Sequence, residues 1–215
     1  QSGVEKFIFL GSSCIYPKNF EKPIKENDLM SGYLEPTNEG YALAKILALK
    51  LTKIVSADYS LRYKTIIPCN LYGPYDNFSE LDAHMIPAVI QKIHTAKKMN
   101  KKIVDIWGNG KARREFMYIK DLIDFISFAI HNFNDLPEII NVGTGKDFTI
   151  NEYYSKISKV IGYDGDFSHD MSKPSGMQRK LVDITKLKSF GWQSNYSLEK
   201  GIKETYNFYI ENYGK

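Results

Sequence analysis

Val4-Glu5-Lys6-Phe7-Ile8-Phe9-Leu10-Gly11-Ser12-Ser13-Cys14-Ile15-Tyr16-Pro17 is the stretch whose reading decides the fold. Residues 4–10 are mostly apolar, which predicts a short strand buried on both faces, as in a parallel sheet. Ser12 and Cys14 follow at its carboxyl end, where open α/β sheets bind ligands. Residues two apart on a strand point the same way, so the two side chains are expected to face one site if extended geometry persists. A serine hydroxyl there can bond a carbonyl oxygen and stabilise the charge it develops. It can equally serve as a turn hydroxyl on backbone. A thiol there can shuttle a proton or pack as a small hydrophobe.

Working outward, Glu39–Asp58 carries Leu43, Ile46, Leu47, Leu51, Ile54 and Val55 at helical spacing. Tyr41 and Lys45 lie four apart on it and share a face. A lysine ammonium beside a tyrosine phenol stabilises phenolate, which suits the tyrosine to hand a proton to a developing alkoxide. Strands are expected at 64–68, 102–106 and 138–142, with an extended segment at 115–119. Helices are expected over Met85–Lys98, 121–132, 150–161 behind a Thr149/Glu152 capping box, and 198–213 behind Ser197. This alternation predicts an α/β protein with a parallel sheet. The charged, proline-containing stretch 17–38 reads as a long surface loop.

The chain has 215 residues, is 43% hydrophobic and carries a net charge of +4. That mild basic bias is too weak to indicate nucleic acid and suits an anionic small molecule. Cys14 and Cys69 have no metal-type spacing, and free thiols of a reducing compartment are expected. No apolar run approaches a membrane span, so a cytoplasmic protein without metal is the expectation. His94, His131 and His169 are expected at the surface, and Asp121 at a helix start has a structural explanation.

The segments Gly11–Pro17, Glu35-Pro36-Thr37-Asn38-Glu39, Tyr41 with Lys45, and Asn70-Leu71-Tyr72-Gly73-Pro74 together resemble the extended short-chain dehydrogenase/reductases. Within them they resemble the branch that epimerises and reduces GDP-4-keto-6-deoxymannose. The resemblance continues through His84-Met85-Ile86-Pro87, Trp107-Gly108, Arg114-Glu115-Phe116, Asn141–Gly145, Ser172-Lys173-Pro174 and Arg179–Asp183. It implies an incomplete Rossmann parallel sheet plus a smaller α/β substrate-binding domain. Residues 1–75 would be the remaining NADP-binding part. Residues 76–215 would mainly bind the nucleotide sugar, with segments near 103–145 returning to the first.

The resemblance also implies roles. Tyr41 would donate a proton to the carbonyl oxygen, Lys45 would tune it and bind the nicotinamide ribose, and Ser12 would orient the carbonyl. Cys14 and His84 would be the acid/base pair of epimerisation. NADP(H) would meet Tyr41, Lys45, Pro68, Asn70, Leu71 and His84. The GDP-sugar would meet Lys92, Trp107, Arg114, Lys173 and Arg179. Lys92 stands where the family often has arginine, and Cys69 where threonine is expected. Trp107 as core, and Lys173 and Arg179 as solvated loop charges, remain open. The family forms homodimers through helices that include the Tyr41 helix.

The enolate chemistry can be followed independently. A ketone at carbon 4 acidifies carbons 3 and 5, and inversion needs groups of intermediate basicity on both ring faces. Three alternatives stay open. One is a C4 reductase of a GDP-4-keto-6-deoxyheptose with little epimerase activity. A dehydratase is disfavoured, because no acidic pair adjoins the serine strand. The third is a non-catalytic GDP-binding or dimerisation module. The glycine-rich GxxGxxG fingerprint is absent from these residues, so this polypeptide by itself is expected to bind NADPH poorly and to be inactive.

Overall fold

The structure is a computed structural model that describes residues 3–18, 20–79, 82–173 and 177–214. Pro174 of the Ser172-Lys173-Pro174 motif and Asn19 of the 17–38 stretch lie outside them. In chain order the elements are β1 (Lys6–Leu10), α1 (Glu39–Asp58), β2 (Arg62–Pro68), β3 (Asn70–Tyr72), α2 (Met85–Lys98), β4 (Ile103–Trp107), β5 (Arg113–Arg114), β6 (Phe116–Tyr118) and α3 (Ile119–His131). Then come β7 (Ile139–Val142), β8 (Phe148–Thr149), α4 (Ile150–Ile161), β9 (Asp166–Asp170), β10 (Arg179–Lys180), α5 (Thr185–Ser189) and α6 (Leu198–Tyr213).

The strands β1, β2 and β7 form a parallel sheet in that order, with Leu10 opposite Ile66 and Pro68 opposite Val142. The middle strand β2 is buried from Thr65 to Pro68. The outer strand β1 is not buried on both faces as its apolar run predicts: Phe7 and Leu10 are each 42% exposed. It pairs with β2 alone among the described residues, and an edge strand covers less of its side chains.

Two buried clusters organise the molecule. In the first, Ile46 and Leu49 of α1 and Leu122, Phe125 and Ala129 of α3 join Ile66, Ile67, Ile140 and Val142 of the sheet. In the second, α2 contributes Ile86, Ile90 and Ile93, and α4 contributes Tyr153, Ile157 and Ile161. The apolar spacing on α2 and α4 is that of one helix face. Thr149 Oγ1 accepts from the Glu152 amide at 3.1 Å, and Glu152 Oε2 accepts from the Thr149 amide at 2.7 Å, closing the capping box. Gly162 ends α4 with φ of 70°, a left-handed conformation that favours glycine.

The 17–38 stretch is more than a surface loop. Ile24 is 1% exposed and bridges Val182. Its carbonyl accepts from Asn141 Nδ2 at 2.9 Å, and Glu26 Oε1 accepts from the Asn141 amide at 3.0 Å. Charges dominate the segment and hide the few apolar residues, Phe20, Leu29 and Leu34, that pack it onto the first cluster. The polar strand β9, which composition gives no reason to expect, exists because it pairs in parallel with β4.

Candidate active site

One cavity of about 1370 Å³ opens along the carboxyl ends of β1, β2 and β3. Ser12, Cys14, Tyr41 and His84 line it together, as do Pro68, Asn70 and Leu71 on one side and Lys92, Trp107 and Arg114 on another. Lys45, Lys173 and Arg179 are not among its lining residues.

Extended geometry does not persist to Cys14. The strand stops at Leu10, and Ser13–Ile15 form a 3₁₀ turn capped by Ser12. Ser12 Oγ accepts from the Cys14 amide at 3.2 Å. The turn hydroxyl and the site hydroxyl are therefore one group, because a hydroxyl that accepts from backbone still has its own proton to donate. Cys14 reaches the same cavity by the turn rather than by strand alternation.

On α1, the Lys45 ammonium lies 5.8 Å from the centre of the Tyr41 ring and donates to the carbonyl of Leu10 at 2.9 Å. Tyr41 is exposed. Of the apolar residues that predict the helix, Ile46 packs inward, while Leu43, Leu47, Leu51 and Ile54 stay on the surface.

His84 precedes α2 and is exposed, with Nδ1 4.0 Å from Asp76 Oδ1. The Asp76 carboxylate favours the imidazolium and holds the His84 pKa above the usual histidine value, against partial burial. His94 is not a surface histidine: it is half-buried against Tyr206 and Tyr209, with Nδ1 3.1 Å from the Tyr206 hydroxyl. His131 and His169 are exposed.

Lys92 is held by Asp105, through its carboxylate at 2.7 Å and its carbonyl at 2.7 Å. Trp107 is a lining residue rather than core, and the Lys173 ammonium stands 5.5 Å from its ring centre. Arg114 donates to the carbonyls of Arg113 and Met177 and pairs with no carboxylate among the described residues. Burial lowers its pKa, against the Glu35 carboxylate, and its guanidinium remains a candidate partner for an anion in the cavity.

Arg179 turns away from the cavity. Its Nε binds Asp147 Oδ2 at 2.5 Å and its Nη1 donates to the Glu21 carbonyl. Arg113 grips Asp147 Oδ1 through two nitrogens. Burial opposes the charge on Asp147, but the two guanidinium groups outweigh it and hold the carboxyl below the usual range.

Sequence reasoning missed Asp147 and two further residues here. Lys180, next to Arg179, points the opposite way and donates to Cys14 Sγ at 3.3 Å. Strand alternation on β10 is the signal that separates the two neighbours. Glu115 is buried and accepts from the amides of Thr144, Gly145 and Val182 at 2.7, 2.7 and 3.0 Å. Burial raises its carboxyl to about 7 despite those bonds. Cys69 is buried in the first cluster, and burial pushes its thiol well up.

This is an α/β protein with its ligand cavity at the carboxyl edge of a parallel sheet, the arrangement of dinucleotide-dependent enzymes. A model of the NAD dependent epimerase/dehydratase family matches residues 1–143, and the chain belongs to that family. It is 52% identical to a GDP-L-colitose synthase of Yersinia pseudotuberculosis, over 97% of this chain and 68% of that protein. It is 47% identical to a GDP-L-fucose synthase of Azorhizobium caulinodans, over 98% of this chain and 67% of that protein. Among solved structures, a GDP-6-OMe-4-keto-L-xylo-heptose reductase of C. jejuni superposes with a TM-score of 0.88 at 30% identity, covering 97% of this chain and 71% of that one. A GDP-L-fucose synthetase of Naegleria fowleri bound to NADP superposes with a TM-score of 0.88 at 27% identity, covering 98% and 68%. The chain spans about two thirds of the length of these curated relatives. No helix among the described residues is long and apolar enough to cross a membrane, and among them no group of His, Cys, Asp and Glu could hold a metal ion.

Proposed function

We propose that these residues are the catalytic part of a GDP-L-fucose synthase, which epimerises carbons 3 and 5 of GDP-4-keto-6-deoxy-D-mannose and reduces carbon 4 with NADPH. The observation that carries this is the gathering of Ser12, Tyr41, Cys14 and His84 on one cavity. A reductase alone would need the first two.

The Ser12 hydroxyl proton is free to bond the sugar's carbonyl oxygen and hold the enolate charge. Cys14 and His84 remove and return protons at the flanking carbons. Tyr41 then gives its proton to the oxygen at carbon 4, with Lys45 beside it. The donor set fits the nicotinamide end of the cofactor: Tyr41 lines the cavity together with Pro68, Asn70 and Leu71, and Lys45, beside the Tyr41 ring, would offer an ammonium to a ribose hydroxyl. NADPH supplies a hydride to carbon 4 when bound. Arg114 takes the diphosphate, with Lys92, Trp107 and Lys173 nearby.

The exposed stripe of Leu43, Leu47, Leu51 and Ile54, each half exposed or more, supports a homodimer through α1. A cytoplasmic location fits two free thiols.

The GDP-L-colitose synthase relative supports a second reading, in which the substrate lacks the 3-hydroxyl, carbon 3 is no stereocentre and only carbon 5 is inverted before reduction. Product analysis with GDP-4-keto-6-deoxymannose, its 3-deoxy counterpart and a GDP-4-keto-6-deoxyheptose decides. Faster turnover of the first supports the main reading, and rejection of it overturns that reading.

A further inference from the structure

Lys180 lies 166 positions from Cys14 in the chain, yet its ammonium meets the thiol at 3.3 Å. The contact is built from both ends. β10 pairs in parallel with β5, Lys180 opposite Arg114, and the Lys180 carbonyl accepts from the Glu115 amide at 3.2 Å. On one side Arg179 is locked on Asp147, and on the other the Val182 amide is held by Glu115 Oε2. At the far end, the Cys14 amide is bonded to Ser12 Oγ in the 3₁₀ turn. Among the described residues no carboxylate pairs with Lys180. A lysine placed for stability alone is commonly paired or solvated. Lys180, partly buried, donates instead to sulfur.

We infer that Lys180 is a positioning residue: its ammonium stabilises negative charge on the Cys14 sulfur and aims that sulfur into the cavity. Under the epimerase reading, on which only this consequence rests, the sulfur takes a proton from the carbon beside the ketone. The C–H electron pair moves into the enolate oxygen. The imidazolium of His84 returns a proton to the opposite face. Thiolate and imidazolium become thiol and imidazole, and charge balances without oxidant or reductant.

The thiolate is the nucleophile toward alkylating agents, so the contact can be tested without substrate or cofactor. Iodoacetamide alkylation of the chain at pH 7 is followed by peptide mapping, with urea midpoints recorded for every variant. Cys14 is expected to react about tenfold more slowly in Lys180→Met than in the wild type, with Lys180→Arg restoring most of the rate. Alkylation of the buried Cys69 reports loss of the fold. Equal Cys14 rates in wild type and a folded Lys180→Met overturn the inference. Should Lys180→Met fail to fold, Lys180→Gln replaces it under the same criterion. Exchange at carbons 3 and 5 in deuterated water forms a separate arm. Its absence in the wild type defeats the epimerase reading but leaves the alkylation result to judge Lys180.

Discussion

The ammonium of Lys45 donates to the carbonyl oxygen of Leu10 at 2.9 Å. That bond ties α1 to the last residue of β1, immediately before the turn that carries Ser12 and Cys14. It keeps Tyr41, one helical turn away, on the same cavity as Ser12. Helix and strand thus bring a phenol and a hydroxyl to one cavity.

Under the proposed mechanism, Tyr41→Phe removes the proton given to the oxygen at carbon 4 and leaves the enolate chemistry. Its reduction rate is expected to fall about 10²–10⁴-fold, while deuterium exchange at carbons 3 and 5 continues. Steady-state NADPH oxidation and mass spectrometry of recovered substrate measure the two separately.

Asp76 holds the His84 pKa up. The imidazolium therefore persists to higher pH than an isolated histidine would allow. With His84 as the acid, epimerisation falls as pH rises through that value. Asp76→Asn moves this fall to lower pH, and a pH–rate profile of exchange reads it. An unmoved profile would remove His84 from the role.

Glu115 titrates at about 7 in the folded chain against an ordinary 4.5. Between those values the folded chain keeps a proton that the unfolded chain has released. Stability is fully present below about 4.5 and declines as pH rises to about 7, by on the order of 3 kcal/mol. Urea unfolding across this range should show the decline, and Glu115→Gln should flatten it. Because the glutamine presents a donor to one of the amides Glu115 now binds, this variant is also less stable overall.

Arg179 is expected to act as a latch rather than as a diphosphate ligand. Asp147, 6% exposed at its side chain, joins it to Arg113. Arg179→Ala should leave GDP affinity within about twofold and cost about 1–3 kcal/mol of stability. Arg114→Ala should weaken GDP binding about tenfold or more. Titration calorimetry with GDP compares them.

Much of this was legible in the sequence because local rules govern it. The Thr149/Glu152 box and the Tyr41–Lys45 spacing are decided within a few residues. The contributions of Lys180, Asp147 and Glu115 were not legible. Each acts on a partner far away in the chain: pairing of the two-residue strands β5 and β10 delivers Lys180 and sets Glu115 near Val182, and Asp147 comes from the segment before β8. Such strands carry no periodicity to read. The burial of Ile24 was hidden for a related reason: one apolar residue among charges has no pattern until β7 is beside it.

Cys14 and His84 are proposed to make this site an epimerase as well as a reductase. The most direct measurement is incubation of the enzyme with GDP-4-keto-6-deoxymannose and NADPH in deuterated water, followed by mass spectrometry and NMR of the product. The account predicts deuterium at both carbons 3 and 5, lost in Cys14→Ala. A reduced product with no deuterium at either carbon would contradict it.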